Sequence, residues 1–355
     1  MKTVHVVLPG RVVEAAVPSG GDAYDRRICD GLAAAGWSVR ELVIPGDWPR
    51  PGPAGVAALA AGIAECPDGA VVLVDGLVAG AAPEVLVPAA DRLRLVVIVH
   101  LPLADETGLA PAAADELAAR ERRTLHAAAA VVVTSGWSAR RLVELHDLPA
   151  DRVHVAHPGV DPAPLAPGTD GASGLLCVAA VTPLKAQDLL VTALARVADL
   201  PWRCRCVGDL DRVPDYAARV RELVRQHRLT DRIELAGPRT GAELAADYAA
   251  ADLVLLVSHA ESYGMVLTEA LARGIPVLAT DVGGVPEAVG RTPDGSLPGM
   301  LIPPGDPAAL AAALRRWLAR GETRRQLRDA ARARRATLTG WQATVATVAG
   351  VLEVS

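Results

Sequence analysis

The stretch His259–Gly284, HAESYGMVLTEALARGIPVLATDVGG, carries two carboxylates, Glu261 and Glu269, eight residues apart. The preceding DLVLLVS reads as a buried strand ending near Ser258, and HAESYG as a loop into a helix from about Gly264 to Arg273. Glu261 then sits at a strand's carboxyl end, just ahead of a helix start. Glu269 falls in mid-helix among Met265, Val266, Leu267, Ala270, Leu271 and Ala272. A helix apolar nearly all round is a buried one, and a buried carboxylate needs a partner or a ligand. Taken alone, Glu269 is explained equally well as a core glutamate satisfied by a backbone N–H or an arginine. Its neighbours tip the balance. SYGMV offers free backbone amides at a helix start, which suit phosphate. TDVGGVPE follows the next strand with two adjacent glycines, a second loop built for close approach. Carboxylates accept hydrogen bonds from sugar hydroxyls while amides hold phosphate, and a nucleotide-sugar needs both.

Positioning such groups requires strands with helices between them. Six short apolar runs lie in the first half: VHVVLPG, VRELVIPG, AVVLVDG, LRLVVIVHLP, AVVVTSG and RVHVAHPG. Six more lie in the second: GLLCVAAV, WRCRCVGD, RIELAG, DLVLLVS, IPVLATDVGG and GMLIPPG. They are near-continuously apolar, as parallel strands covered on both faces are. Helical patterns separate them, which predicts βαβ units and doubly wound α/β sheets. Helix one runs from about Asp22 to Ala35 and ends at Gly36; Asp306 and Pro307 mark the start of another. HPGVDPAPLAPGTDGASG, residues 157–174, is crowded with proline and glycine and reads as an interdomain linker. The division is residues 1–165, residues 166–335 and a final amphipathic helix in 336–355, carrying Trp341 on its apolar side and returning to the first domain. Ligands bind at the carboxyl ends of strands in such sheets, so the expected site is a cleft between two facing domains.

Composition narrows the function classes. Of 355 residues 51% are hydrophobic and 22% charged, with a net charge of −5, which describes a globular chain without a basic field for nucleic acid. No apolar run reaches the length of a membrane span, and MKTVHVVLPGR reads as a first strand rather than a leader. AARERRTLHAAAA reads as a solvated helix face rather than a lipid-binding patch. Cys29, Cys66, Cys177, Cys204 and Cys206 are scattered in mostly apolar runs, as reduced core thiols of a cytoplasmic protein would be. No metal site is expected: no Cys/His cluster surrounds Cys204 and Cys206, and DLD at 209–211 reads as a loop. There is no G-x-G-x-x-G after a strand, which disfavours a dinucleotide oxidoreductase. Lys185 is conspicuous, being the only lysine besides Lys2 in a chain that otherwise uses arginine.

ESYGMVLTE resembles the E-x7-E motif of retaining glycosyltransferases with the GT-B fold, the family 4 or group 1 type, and the likeness extends through VGGVPE. Five further segments fall in that family's order. PSGGDAYDRRICDGLAAAGW resembles its glycine loop and first helix. VIVHLP resembles the strand whose histidine faces the transferred sugar. HPGVDPAP resembles its crossing segment, VTPLKAQDLLVTALARV its pyrophosphate-lysine segment, and LAGPRTGAELAADYAAADLVLLVS its base-binding loop. The resemblance implies two Rossmann-like domains facing across a cleft. It also implies a metal-independent reaction without a cofactor, moving sugar from a nucleoside-diphosphate sugar to the hydroxyl of a small molecule or glycan, in a monomer or homodimer.

It further assigns residues. Glu269 would bind the ribose, and Glu261 with Ser262 and Tyr263 the donor sugar. Backbone amides of Gly264, Met265 and Val266 would hold sugar and distal phosphate, and Lys185 the departing pyrophosphate. Gly237, Pro238 and Arg239 would meet the base. Gly20 and Gly21 would let the first loop approach phosphates or acceptor. His100, with Glu261 and Lys185, makes up the expected catalytic set, and His157 and His259 are further candidates. Two positions depart from the family's "GRL…KG" pattern: Ala180 stands where arginine is expected and Ala186 where glycine is. Arg239, Arg26 or Arg27 could replace the missing clamp. The alternatives are a sugar-nucleotide epimerase, a phosphorylase or a non-catalytic nucleotide-sugar binder on the same fold. A phosphorylase would need a pyridoxal-phosphate lysine, and only Lys185 is available for it.

Overall fold

The computed structural model describes residues 2–10, 12, 19–106 and 108–354. Pro18, which opens the glycine-loop segment, lies outside them. The chain forms two compact units, Met1–Gly159 with Gly340–Ser355, and Val160–Thr339. All twelve apolar runs are strands.

The first unit holds β1 (Thr3–Pro9), β2 (Ser38–Ile44), β3 (Val71–Asp75), β4 (Arg94–Val99), β5 (Ala130–Val133) and β6 (Val153–Val155). They form one parallel sheet in the order β2-β1-β3-β4-β5-β6. Its helices are α1 (Gly20–Ala34), α2 (Pro53–Ala64), α3 (Gly76–Ala81), α4 (Pro83–Ala89), α5 (Pro111–Ala127), α6 (Gly136–His146) and, from the far end of the chain, α14 (Trp341–Val354). Strand side chains alternate between two cores. Val4, Val6 and Leu8 pack with Tyr24, Ile28 and Leu32 of α1 and Val345, Val348 and Val351 of α14. Val7, Val72, Val74 and Val97 face the opposite layer with Leu59, Leu86, Leu125 and Leu142. Both faces are covered, so a central strand such as β3 is buried at every position, whereas edge strand β2 is partly exposed.

The second unit holds β7 (Gly174–Val178), β8 (Arg203–Val207), β9 (Ile233–Gly237), β10 (Leu253–Leu256), β11 (Val277–Thr280) and β12 (Gly299–Ile302), ordered β12-β11-β10-β7-β8-β9 and parallel. Between them run α7 (Gln187–Ala195), α8 (Pro214–Gln226), α9 (Gly241–Ala249), α10 (Met265–Ala272), α11 (Val285–Val289), α12 (Pro307–Ala319) and α13 (Gly321–Arg335). Asp306 caps α12 through Ala308 N at 2.8 Å and Ala309 N at 2.9 Å, with Pro307 in the first turn. Each sheet reverses its winding once, at β1/β3 in the first unit and β7/β10 in the second. At such a switch point neighbouring crossovers leave on opposite faces and open a crevice at the strands' carboxyl ends.

Two sequence readings change. Helix α1 begins at Gly20, not Asp22, because Ser19 and Asp22 close a capping box around it. Helix α10 is not buried all round. Leu267, Thr268, Ala270, Leu271 and Ala272 are buried, while Met265, Val266 and Glu269 line a partly open face. Among the described residues no helix is long and apolar enough to cross a membrane.

Candidate functional site

In the second unit the switch point gathers the segments after β7 and β10. Residues Pro183–Lys185 form a 3-10 turn, and the loop after β10 is tied to it by His259 N donating to Leu184 O at 2.8 Å. That tether brings Lys185 Nζ within 2.5 Å of Glu261 Oε1. Ser258, fully buried, donates its hydroxyl to the same oxygen at 2.7 Å. The lysine and glutamate side chains are 24% and 10% exposed, so the pair is desolvated on one side yet reachable. From the neighbouring strand β11, Gly283 packs beneath it. A Cβ there would stand 1.8 Å from Glu261 O, and its φ is +54°, so only glycine fits. Gly284 N donates to that same carbonyl at 3.0 Å. The close approach served by the double glycine is thus to Glu261's own backbone.

Helix α10 starts beside this pair. Gly264 precedes it and no side chain caps its N-terminus, leaving the amides of the first turn to other acceptors. Glu269 accepts a hydrogen bond from Tyr248 of α9 at 2.7 Å, while Arg273 donates to the Glu269 carbonyl at 2.8 Å and lies over the Tyr248 ring at 4.5 Å. Burial first, and the Glu269 charge second, push the Tyr248 hydroxyl well above its usual range, so it stays a donor. Glu269 is therefore neither an isolated buried charge nor fully covered. One oxygen is held by tyrosine, and the residue stays partly open on the face it shares with Met265 and Val266. Tyr263 is buried among core residues, which limits what it offers the site to its backbone.

Gly237 ends β9, Pro238 is exposed, and Arg239 is drawn to Asp247 at 3.3 Å and Glu234 at 3.8 Å. Arg26 is bound to Glu41 at 2.6 Å and Arg27 lies over the Trp341 ring at 5.7 Å. All three substitutes for the missing clamp have partners of their own. Ala186 adopts the left-handed conformation at φ +54°, ψ +42°, where the resembling pattern has glycine. Asp209 of DLD accepts from Asp211 N at 2.8 Å, a local turn. His157 and His259 are exposed.

The first unit's switch point holds His100, immediately after β4. Its ring lies against Gly21, where a Cβ would meet His100 Cδ2 at 2.9 Å, and edge-on to Tyr24 at 5.3 Å. Nε2 is 2.9 Å from Asp25 Oδ1 and 3.8 Å from Asp75 Oδ2. Gly21, Tyr24 and Asp25 sit at i, i+3 and i+4 on α1 and so share one face. Asp75 closes β3 and caps α3 through Leu77 N at 2.8 Å. Burial pulls the imidazole toward its neutral form, but the charge and hydrogen bond of Asp25, then Asp75 and Asp22, push it up to about 8. Burial, then the charge of Asp25, push Asp75 up to about 8 as well. Among the described residues these three also bring their ligand-type atoms within 4.8 Å of one another, and the His100–Asp25 contact has the length of an ordinary hydrogen bond. Gly20 stands exposed beside the capping box and Gly21 serves the histidine. Asp25, Asp75, Tyr248 and Ser258 were not singled out from the sequence. An aspartate ending the apolar run AVVLVD was the one local signal. All five cysteines are free and buried.

Twin parallel sheets, each with polar side chains gathered near its switch point, have the two-domain Rossmann-like architecture of GT-B glycosyltransferases. Solved structures share it. Sucrose-phosphate synthase from Thermosynechococcus elongatus superposes with a TM-score of 0.81 at 21% identity, over 99% of this chain and 98% of that one. Anabaena HepE in complex with UDP and glucose gives a TM-score of 0.79 at 19% identity, with both chains covered to 100%. Residues 170–334 match the family described as Glycosyl transferases group 1, and residues 71–164 match Glycosyltransferase Family 4. Both units of the chain are thus similar to group 1, family 4 glycosyltransferases, one through each match. It is 38% identical over 252 residues to the D-inositol 3-phosphate glycosyltransferase of Kineococcus radiotolerans, covering 63% of this chain and 57% of that protein. It is 38% identical over 240 residues to that of Thermomonospora curvata, covering 61% and 54%. The chain thus spans little more than half the length of these curated relatives.

Proposed function

We propose that the protein is a retaining, metal-independent glycosyltransferase that moves a sugar from a nucleoside-diphosphate sugar to an acceptor hydroxyl. The observation that carries this is the donor-type surface of the second unit. A lysine and a carboxylate are paired at the switch point, beside an uncapped helix start and a helix face that presents Glu269. In this reading Lys185 leaves Glu261 to meet the diphosphate, Glu261 turns to sugar hydroxyls, and the amides of Gly264, Met265 and Val266 take the distal phosphate. Glu269, partly open on the face it shares with Met265 and Val266, accepts from the ribose. Gly237, Pro238 and Arg239 border the base, and His100 donates toward substrate.

The reaction breaks the bond from the anomeric carbon to the phosphate oxygen and forms one to the acceptor oxygen on the same face. The acceptor's proton ends on the leaving diphosphate. Preorganised charge at Lys185 stabilises that leaving group, a contribution of about 3–4 kcal/mol at comparable sites. No cofactor is required beyond the donor. The names of the relatives make inositol phosphates the first acceptors to try.

The test is calorimetry with UDP, GDP, ADP, dTDP and CDP, with and without magnesium, followed by turnover of the matching sugar nucleotides. One diphosphate bound without metal, and its sugar transferred with retained configuration, is the expected result. A magnesium requirement or an inverted product would overturn the mechanism. Ala180, where an arginine clamp is missing, favours one second reading, a nucleotide-sugar binder without turnover. Tight donor binding with no transfer would establish it.

A further inference from the structure

The buried acids around His100 have no role in the function proposed so far. One ring nitrogen, Nε2, is fixed on Asp25 at 2.9 Å. The other, Nδ1, has no hydrogen-bond partner among the described residues, and the side chain is 19% exposed. Gly21 and Tyr24 bound the ring. Asp25 and Asp75 are 2% and 4% exposed, and Asp25 Oδ2 is buried with no partner of its own. A carboxylate accepts only, so Nε2 donates to Asp25 and the free Nδ1 decides what His100 can do. With a single supporting carboxylate, a neutral imidazole would present a lone pair there and act as a base. Here Asp75 stands behind Asp25, with its Oδ2 3.8 Å from Nε2.

We propose that Asp25 is the positioning residue of His100. Backed by Asp75, it orients the ring and keeps both nitrogens protonated, so that His100 gives substrate a hydrogen bond from Nδ1 instead of taking a proton. This rests on the glycosyltransferase reading, and it is consistent with a reaction in which the acceptor's proton goes to the leaving phosphate. The groups facing His100 are Asp22, Tyr24 and Asp25 from α1 and Asp75 from β3. His100 holds its proton up to about 8. Asp75, itself pushed up to about 8, gains its charge only over the same range, so Asp25 supplies most of the effect; taking its negative charge away lowers the value, and the donor form is lost at lower pH.

The experiment is an NMR pH titration of the His100 ring in the full chain, assigned with His100→Gln, for the parent, Asp25→Asn and Asp75→Asn. UDP release from UDP-glucose is followed over the same pH range. The expected parent midpoint lies near 8. It should fall by about one unit or more in Asp25→Asn and by less in Asp75→Asn. UDP affinity should be unchanged, and any turnover should decline at correspondingly lower pH. An unmoved midpoint in a folded Asp25→Asn protein overturns the proposal. So does a parent midpoint below about 6.5, the unperturbed value, or a divalent metal that copurifies one-to-one with the parent and is lost in Asp25→Asn. If Asp25→Asn does not fold, the parent midpoint and the Asp75→Asn shift decide alone. The titration needs no turnover, so it stands even if transfer is never observed.

Discussion

Replacing Glu269 by glutamine tests the donor site most directly. Glutamine keeps the side chain's volume and a carbonyl that can still accept from Tyr248, now 2.7 Å from the carboxylate. What is lost is charge at the oxygen assigned to the ribose. Charged hydrogen bonds contribute about 1.5–3 kcal/mol and neutral ones about 0.5–1.5. The exchange should therefore cost about 1–1.5 kcal/mol per ribose hydroxyl, or about 2–3 for two, a roughly 30- to 150-fold weaker Kd. Removing a negative charge would by itself favour an anionic ligand, so a loss in this direction cannot come from long-range electrostatics. Glu269→Ala adds a different effect. It leaves the Tyr248 hydroxyl, 1% exposed, without its acceptor and should cost stability of about 1–3 kcal/mol. Calorimetry with UDP and 2′-deoxy-UDP, together with urea unfolding, separates the two. The glutamine variant should bind the two ligands almost alike and unfold nearly as the parent does. UDP binding within roughly threefold of the parent in Glu269→Gln, with stability lost only in Glu269→Ala, would show that the carboxylate serves the fold and refute the reasoning.

Two further outcomes follow from the same geometry. Lys185→Ala should weaken UDP binding by about 2–3 kcal/mol, since unit charges 4 Å apart interact by about 4 kcal/mol at a partly buried site and Lys185 is partly screened; Ala180→Arg should recover part of that, and a loss under about fivefold by calorimetry would count against the lysine. Gly21→Ala puts a methyl group 2.9 Å from the His100 ring, which Tyr24 and Asp25 bound. Overpacking of this kind costs about 1–3 kcal/mol, and kcat should fall at least tenfold with UDP affinity intact, whereas a parallel loss of affinity would contradict the assignment.

Much of this molecule is written locally. The twelve strands were legible because each is a short apolar run bounded by turn residues, and parallel strands covered on both faces leave that mark whatever their neighbours. The candidate site residues named from sequence, Glu261, Glu269, Lys185 and His100, stand where an element ends or where composition makes them conspicuous. Local pattern misjudged the environment of Glu269. Counting apolar neighbours along α10 predicts full burial, but whether a helix face is covered depends on what the sheet order sets beside it. Asp25, Asp75 and His100 are far apart in sequence and meet because β3 lies between β1 and β4 at the winding reversal. Tyr248 of α9 reaches Glu269 of α10, and Lys185 joins Ser258 on one carboxylate oxygen through the adjacency of β10 and β7. Sequence determined the elements and the resemblance, because propensity and burial pattern act over a few residues. Which side chains share a proton, a charge or an open face was decided by tertiary structure, because strand order joins residues that no local pattern connects.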